Sequence, residues 1–210
     1  MGRKVRCRYS KQSTATRSWS QVFGQALKVA KSLRMLMGDA LPEKQDKHLQ
    51  NLFSAAIARS LRMFIAGDMQ PFPIPELGEL NFNPATSIRE RFRLWLTVSK
   101  LSDHLLQVHI PAFIPKQDIV APVHTETVTI HLSAASCTMP TAKGAASDAY
   151  SLQIPYHNDL IPEQLIQLFV PAAASRLVLT GMRMCYYLTN NKPVVQDGFM
   201  PASIVDAAYY

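Results

Sequence analysis

A chain of 210 residues, 48% hydrophobic and 18% charged, suits one large domain or a small unit attached to a larger one, with apolar residues enough for a sizeable core. No run of 18 apolar residues occurs and no apolar signal core follows the start, which argues against a membrane span and a secretory signal peptide. The net charge of +7 is uneven: residues 1–34 hold nine Lys/Arg and no acid, and the other 13 Lys/Arg face all 15 Asp/Glu.

The first segment, MGRKVRCRYSKQSTATR, is read as a basic arm over residues 1–17. Arg3, Lys4, Arg6, Arg8, Lys11 and Arg17 carry it, and only Val5, Cys7, Tyr9 and Ala15 offer apolar surface. So few apolar groups cannot offset an ordering cost of about 1–2 kcal/mol per residue, so the arm is expected to be held by contacts outside its own domain. Such arms meet phosphate, anionic membrane surfaces or acidic protein faces. The Arg- and Ser/Thr-rich, acid-free composition is also that of an organellar transit peptide.

Residues 18–67 predict a helical hairpin. In SWSQVFGQALKVAKSLRMLM, Trp19, Val22, Phe23, Ala26, Leu27, Ala30, Leu33 and Met37 share a face at helical spacing, Ser18 or Ser20 is the expected cap, and Gly38-Asp39 the stop. Lys28, Lys31 and Arg34 form a basic stripe at three-residue spacing. Pro42 suits the first turn of a second helix, and Gly67 its C-terminal cap. Leu49, Leu52, Phe53, Ala56, Ile57, Leu61, Phe64 and Ile65 would form its apolar face. Residues 68–88, with Pro71, Pro73, Pro75 and Pro84, read as an extended linker.

From residue 89 the hydrophobic period changes to two. RERFRLWLTVSK, HLLQVHI and ETVTIHL alternate as strands, and more are expected at 150–154, 164–170, 176–180 and 182–188, with TNNKP (189–193) a hairpin turn. Phe92, Leu94, Leu96, Val98, Val108, Ile110, Val128 and Ile130 should face one core. The Ala/Ser-rich stretch at 133–149 reads as a loop. The fold class is therefore α+β: arm, helical hairpin and linker, then an antiparallel β-sandwich of about seven strands over 89–210. In the strand reading Arg89, Arg91 and Arg93 point to one side, continued by Trp95, and such a row could hold phosphate and stack a base.

The carboxy-terminal stretch MRMCYYLTNNKPVVQDGFMPASIV (182–205) and the helix LFSAAIARSLRMF are similar to an uncharacterised Bacteroidetes family with a basic start, early helices and an immunoglobulin- or fibronectin-like β region. The Gly-Lys-Val-Gly type of start common there is replaced here by the Arg-rich arm. The resemblance implies architecture and transfers no site.

Chemistry-bearing motifs are absent. There is no P-loop, GxGxxG, GxSxG or HExxH. His104 and His109, five apart, and His124 and His131, seven apart, fall on opposite faces of a straight strand, so no metal site is expected. Cys137 and Cys185 read as small buried apolar residues, and three cysteines without a CxxC argue for reduced thiols. No catalytic residue and no cofactor is assigned. The expectation is a non-enzymatic structural or assembly subunit, cytoplasmic or associated with a virion or other large particle. Its partners would be copies of itself, companion subunits, or nucleic acid through the arm. The other reading is a nucleic-acid-binding accessory protein without sequence preference.

Overall fold

The computed structural model describes residues 14–42, 47–66, 72–78 and 80–210. The arm residues Arg3, Lys4, Arg6, Cys7, Arg8 and Lys11, and the cap expected at Gly67, lie outside them. Helices and antiparallel sheets make an α+β fold. Among the described residues no helix is long and apolar enough to cross a membrane.

Helix α1 (Thr14–Met37) begins before the expected caps, so Ser18 and Ser20 lie inside it. It ends in a 3-10 turn, Gly38–Ala40, with Gly38 at φ +45° and the Leu41 N–H closing on the Gly38 carbonyl at 3.1 Å. The buried stripe is Ala26, Val29, Ala30, Leu33 and Met37; Trp19, Phe23 and Leu27, expected on that face, are about half exposed. The described part of helix α2 spans Lys47–Ala66, and Pro42, ahead of it in sequence, is in no helix or strand. It buries Leu49, Phe53, Ala56, Ile57 and Leu61, Phe64 is half-buried, and Leu52 and Ile65 are exposed.

The stretch read as a linker carries short elements: β1 (Phe72–Pro73), α3 (Pro75–Gly78) and α4 (Ile88–Arg91). Ile74 and Leu77 are buried against the helices, and the Ile74 N–H reaches the Ala207 carbonyl at 2.7 Å. The strands that follow are β2 (Thr97–Ser102), β3 (Leu105–Ile110), β4 (Thr125–Thr138), β5 (Lys143–Pro155), β6 (Gln164–Leu168), β7 (Arg176–Leu188), β8 (Lys192–Pro193) and β9 (Ala202–Tyr209), with a single helical turn, α5 (Pro115–Asp118), after β3. The larger sheet runs β1-β9-β7-β4-β5, and β8 pairs with the end of β7; the smaller runs β2-β3-β6. Asn190 and Asn191 take positive φ between β7 and β8, so TNNKP is a hairpin turn as expected. The two strands expected at 176–180 and 182–188 are one, with Gly181 inside it.

Residues 133–149 are not a loop. They are the end of β4, its turn, and the start of β5, paired from Ser133↔Ala149 to Ser136↔Ala146. Arg176 fastens the turn: Nε donates to Ser136 Oγ at 2.7 Å and to the Pro171 carbonyl at 3.1 Å, and the other guanidinium nitrogens reach Thr138 Oγ1 and the Gly144 carbonyl.

Alternation along β4, β7 and β9 sends side chains to two separate cores. One face carries Ala135, Cys137, Leu177, Leu179, Ala202, Ile204, Ala207 and Tyr209 against α1, α2 and α3. The other carries Val128, Ile130, Leu132, Ala134, Val178, Met182, Met184 and Tyr186 against Leu106, Val108, Ile110, Ile166 and Leu168 of the smaller sheet. A bulge in β9 at Val205, where the register passes from Gly181↔Ile204 to Thr180↔Asp206, moves the helix-side positions from even to odd numbers. All eight residues expected to face one β core belong to the second cluster, Leu94, Leu96 and Val98 at its edge.

Candidate binding cleft beside Arg89 and Trp95

The segment leading to β2 is locally a helix turn. Ser87 and Glu90 form a capping box: the Glu90 N–H donates to Ser87 Oγ at 3.2 Å, and the Ser87 N–H to Glu90 Oε2 at 2.9 Å. Ile88 and Phe92, four apart, are buried together. The chain then extends, with the Arg93 N–H on the Asp118 carbonyl at 2.9 Å and the Val120 N–H on the Arg91 carbonyl at 2.8 Å.

This corrects the expected arginine row. Residues two apart share a side in a strand but diverge by about 200° in a helix. Arg91 turns away, donating from Nε to Thr86 Oγ1 at 2.9 Å and lying 4.2 Å from the Phe199 ring centroid. The Arg89 guanidinium lies 4.5 Å from the Trp95 ring centroid, with Trp95 69% exposed. Arg93 donates to the Gln117 carbonyl at 3.2 Å.

Arg89, Arg93 and Trp95 nevertheless meet at one cleft of about 360 Å³, bounded by Gly78 and Asn81, by residues 87–96, and by Ser203–Val205 of β9. Leu94, Leu96 and Val205, half-buried, give it apolar walls. Among its polar side groups, Asn81 Nδ2 donates to the Thr86 carbonyl at 3.0 Å, Asn81 Oδ1 accepts from the Asn83 N–H at 3.1 Å, and Ser87 Oγ serves the cap. Among the described residues that line the cleft, the charged ones are Arg89 and Arg93. The walls contributed by Asn81, Ser87 and Val205 carry no mark in the sequence as site residues, although the Ser87-x-x-Glu90 spacing could have signalled the turn.

On α1, Lys28 and Lys31 are exposed and Arg34 is half-buried, its Nε donating to the Ala30 carbonyl at 3.4 Å and its pKa lowered by desolvation. Exposed Phe23, Leu27 and Met35 are interleaved with them, and the Arg62 guanidinium covers Trp19 at 4.4 Å from the ring centroid. Arg17 lies within the helix span, its side chain outside the described residues.

A polar group sits beneath the 3-10 turn, on the helix-side face of the larger sheet. The Arg183 terminal nitrogen donates to the Leu41 carbonyl at 3.4 Å, and its Nε is buried without a partner. His131 Nδ1 meets Ser151 Oγ at 2.9 Å; burial, then Arg183, hold its pKa below the usual value. Burial pushes the Cys137 thiol up to about 11 and raises that of Cys185, so both are held as neutral thiols rather than as nucleophiles. Among the described residues no group of three or more His, Cys, Asp or Glu could hold a metal ion. No protein-family model and no curated protein matches the chain.

Proposed function

We propose that this chain is a non-enzymatic assembly subunit of a virion or other large particle. In this reading the two sheets act as a β-sandwich body, and the helical layer with the basic segment ahead of it docks on copies of the chain or on companion subunits. The observation that carries it is the outer side of α1, where Trp19, Phe23 and Leu27, at four-residue spacing, are 48%, 48% and 44% exposed beside Lys28 and Lys31. An apolar stripe rimmed by cations has the make-up of a contact surface for a partly acidic partner. Sedimentation velocity of the full chain tests it. The chain should form large species alone or with a companion, and Phe23→Glu with Leu27→Glu should shift them toward monomer without lowering the melting temperature. A parent chain that stays monomeric and takes no protein partner would overturn it.

A second reading, a nucleic-acid-binding accessory protein, draws on the guanidinium–indole pair of Arg89 and Trp95 and on the nine cations of residues 1–34. It requires affinity for unrelated DNA and RNA that falls steeply with salt. Replacing Arg3, Lys4, Arg6 and Arg8 by Gln should lower both affinity and salt slope if this reading holds, and should weaken assembly alone if the first does.

A further inference from the structure

We infer that the outer face of the smaller sheet receives the helical layer of a second copy, so that copies join head to tail; the inference rests on the assembly reading above and names its partner. The helices cover one face of the larger sheet and the smaller sheet covers the other, so the two outer surfaces point in opposite directions. The helical surface is cationic and partly apolar. Helix α1 holds four Lys/Arg and the described part of α2 three, with no Asp or Glu in either, and Glu76 of α3 answers Arg59 at 2.8 Å. The outer face of β3 and β6 has the opposite make-up. Leu106, Val108, Ile166 and Leu168 turn inward and are buried, so Leu105, Gln107, His109, Leu165 and Gln167 between them turn outward. Leu165, Phe169 just past β6 and Leu160 in the loop before it are each more than half exposed. Beside them stand the exposed carboxylates Asp159 and Glu163, whose neighbours His157 and His109, at 3.5 and 3.3 Å, carry charge only when protonated. The other charges of β2, β3, β6 and residues 103–104 and 156–163 are Lys100 and Asp103, paired at 2.8 Å; Lys116 of α5, its N–H on the His157 carbonyl at 3.2 Å, borders the loop. An apolar surface rimmed by cations thus faces one way and an apolar surface rimmed by acid the other, which is the complementarity a protein contact needs. Pairing α1 with the α1 of another copy would set Lys28 and Lys31 against the same cations, with no acid on either helix to answer them. Such a two-fold contact also closes at two copies, whereas a head-to-tail contact goes on adding copies or closes as a ring.

Sedimentation velocity of the full, nuclease-treated chain at low salt tests it with two pairs of variants. Phe23→Glu with Leu27→Glu disables the helical surface, and Leu165→Lys with Phe169→Lys disables the sheet face. Each should sediment as monomer alone, and an equimolar mixture should stop at dimer, because one intact surface of each kind remains. Lys28→Glu with Lys31→Glu, and Asp159→Lys with Glu163→Lys, should each lose the large species, and mixing these two should restore them. All the substituted residues are exposed in the monomer, and circular dichroism with melting temperature confirms that each variant is folded. A Leu165/Phe169 variant that assembles as the parent does, or a mixture of the first pair that stays monomeric, would overturn the proposal and leave the assembly reading standing. So would a parent chain that is monomeric alone and assembles with a different protein. A parent that stays monomeric with every partner overturns both.

Discussion

The two faces of the larger sheet solve different packing problems with the same strands. Toward the smaller sheet, β4 and β7 present large side chains, Val128, Ile130, Leu132, Met182, Met184 and Tyr186, which interdigitate with Leu106, Val108 and Ile110. Toward the helices they present Leu177 and Leu179 but also the low positions Ala135, Cys137 and Gly181, and over those the bulk comes from the helices as Phe53, Leu33, Met37 and Leu61. A helix is a cylinder carrying its own ridge of side chains, so the sheet beneath it must be low for the backbones to approach. The helix side also tolerates polar groups without partners, Ser133 Oγ and Arg183 Nε, against Thr180 Oγ1 on the other side. One face is thus bulky on both partners, and the other is bulky at Leu177, Leu179 and Ile204 but low at Ala135, Cys137 and Gly181, where the helices supply the volume.

Truncating a large helix residue breaks this comparison most directly. Phe53 is fully buried and packs edge-on against Phe82, with ring centroids 5.8 Å apart. Phe53→Ala should cost about 3–5 kcal/mol, close to the about 2–5 kcal/mol expected for Ile130→Ala on the other face. Chemical denaturation of both variants measures the two losses. A Phe53 loss far below that of Ile130 would mean that the helices are a loose cover, and that the helix-side cluster is no second core.

Adding bulk from the sheet side sharpens the comparison. A Cβ on Gly181 would lie 2.2 Å from Met37 Cε and 3.4 Å from Ala40 Cβ. The end of a methionine side chain can swing aside, so Gly181→Ala should be mild. Gly181→Val also drives into Ala40 and should cost about 1–3 kcal/mol. The readout is thermal unfolding, with hydrogen exchange in residues 33–41 rising in the valine variant. An unchanged melting temperature would show that α1 does not rest on β7 there.

What the sequence conveys follows the same division. The helices and the strands toward the smaller sheet are legible, because Ala26, Leu33, Phe53, Val108 and Ile130 recur at their element's period. The β4–β5 hairpin is not, because low residues such as Ala134, Ala135, Ser136 and Ala146 erase the apolar alternation that marks a strand. Trp19, Phe23 and Leu27 continue the buried stripe by spacing, yet only burial against neighbouring elements decides how much of a helical face is covered, and these three stay half exposed. For the cleft, Arg89, Arg93 and Trp95 are visible as a cluster of types, but their grouping was read from a strand that Ser87 and Glu90 turn into a helix. Val205 and Asn81 join them only through tertiary pairing with β9, which no local pattern carries.

The remaining expected effect is the one whose size depends on pH, vanishing at its acid end. The Val205 bulge leaves Asp206 opposite Thr180, on the smaller-sheet side. Burial pushes its carboxyl from 3.8 up to about 6, against a hydrogen bond from the Ala207 backbone that lowers it. The folded state therefore binds this proton more tightly than the unfolded chain does. That contribution to stability is fully present below about pH 4 and is lost as pH rises through about 6. Above that, the half-buried carboxylate disfavours the fold by about 1–3 kcal/mol. Asp206→Asn should accordingly be more stable than the parent at pH 7.5, with the gain shrinking through pH 6 and 5 and gone by pH 4. Urea denaturation at those four values checks it. A gain that persists unchanged at pH 4 would mean that asparagine helps by packing or hydrogen bonding, and that the titration of Asp206 is not what limits stability above pH 6.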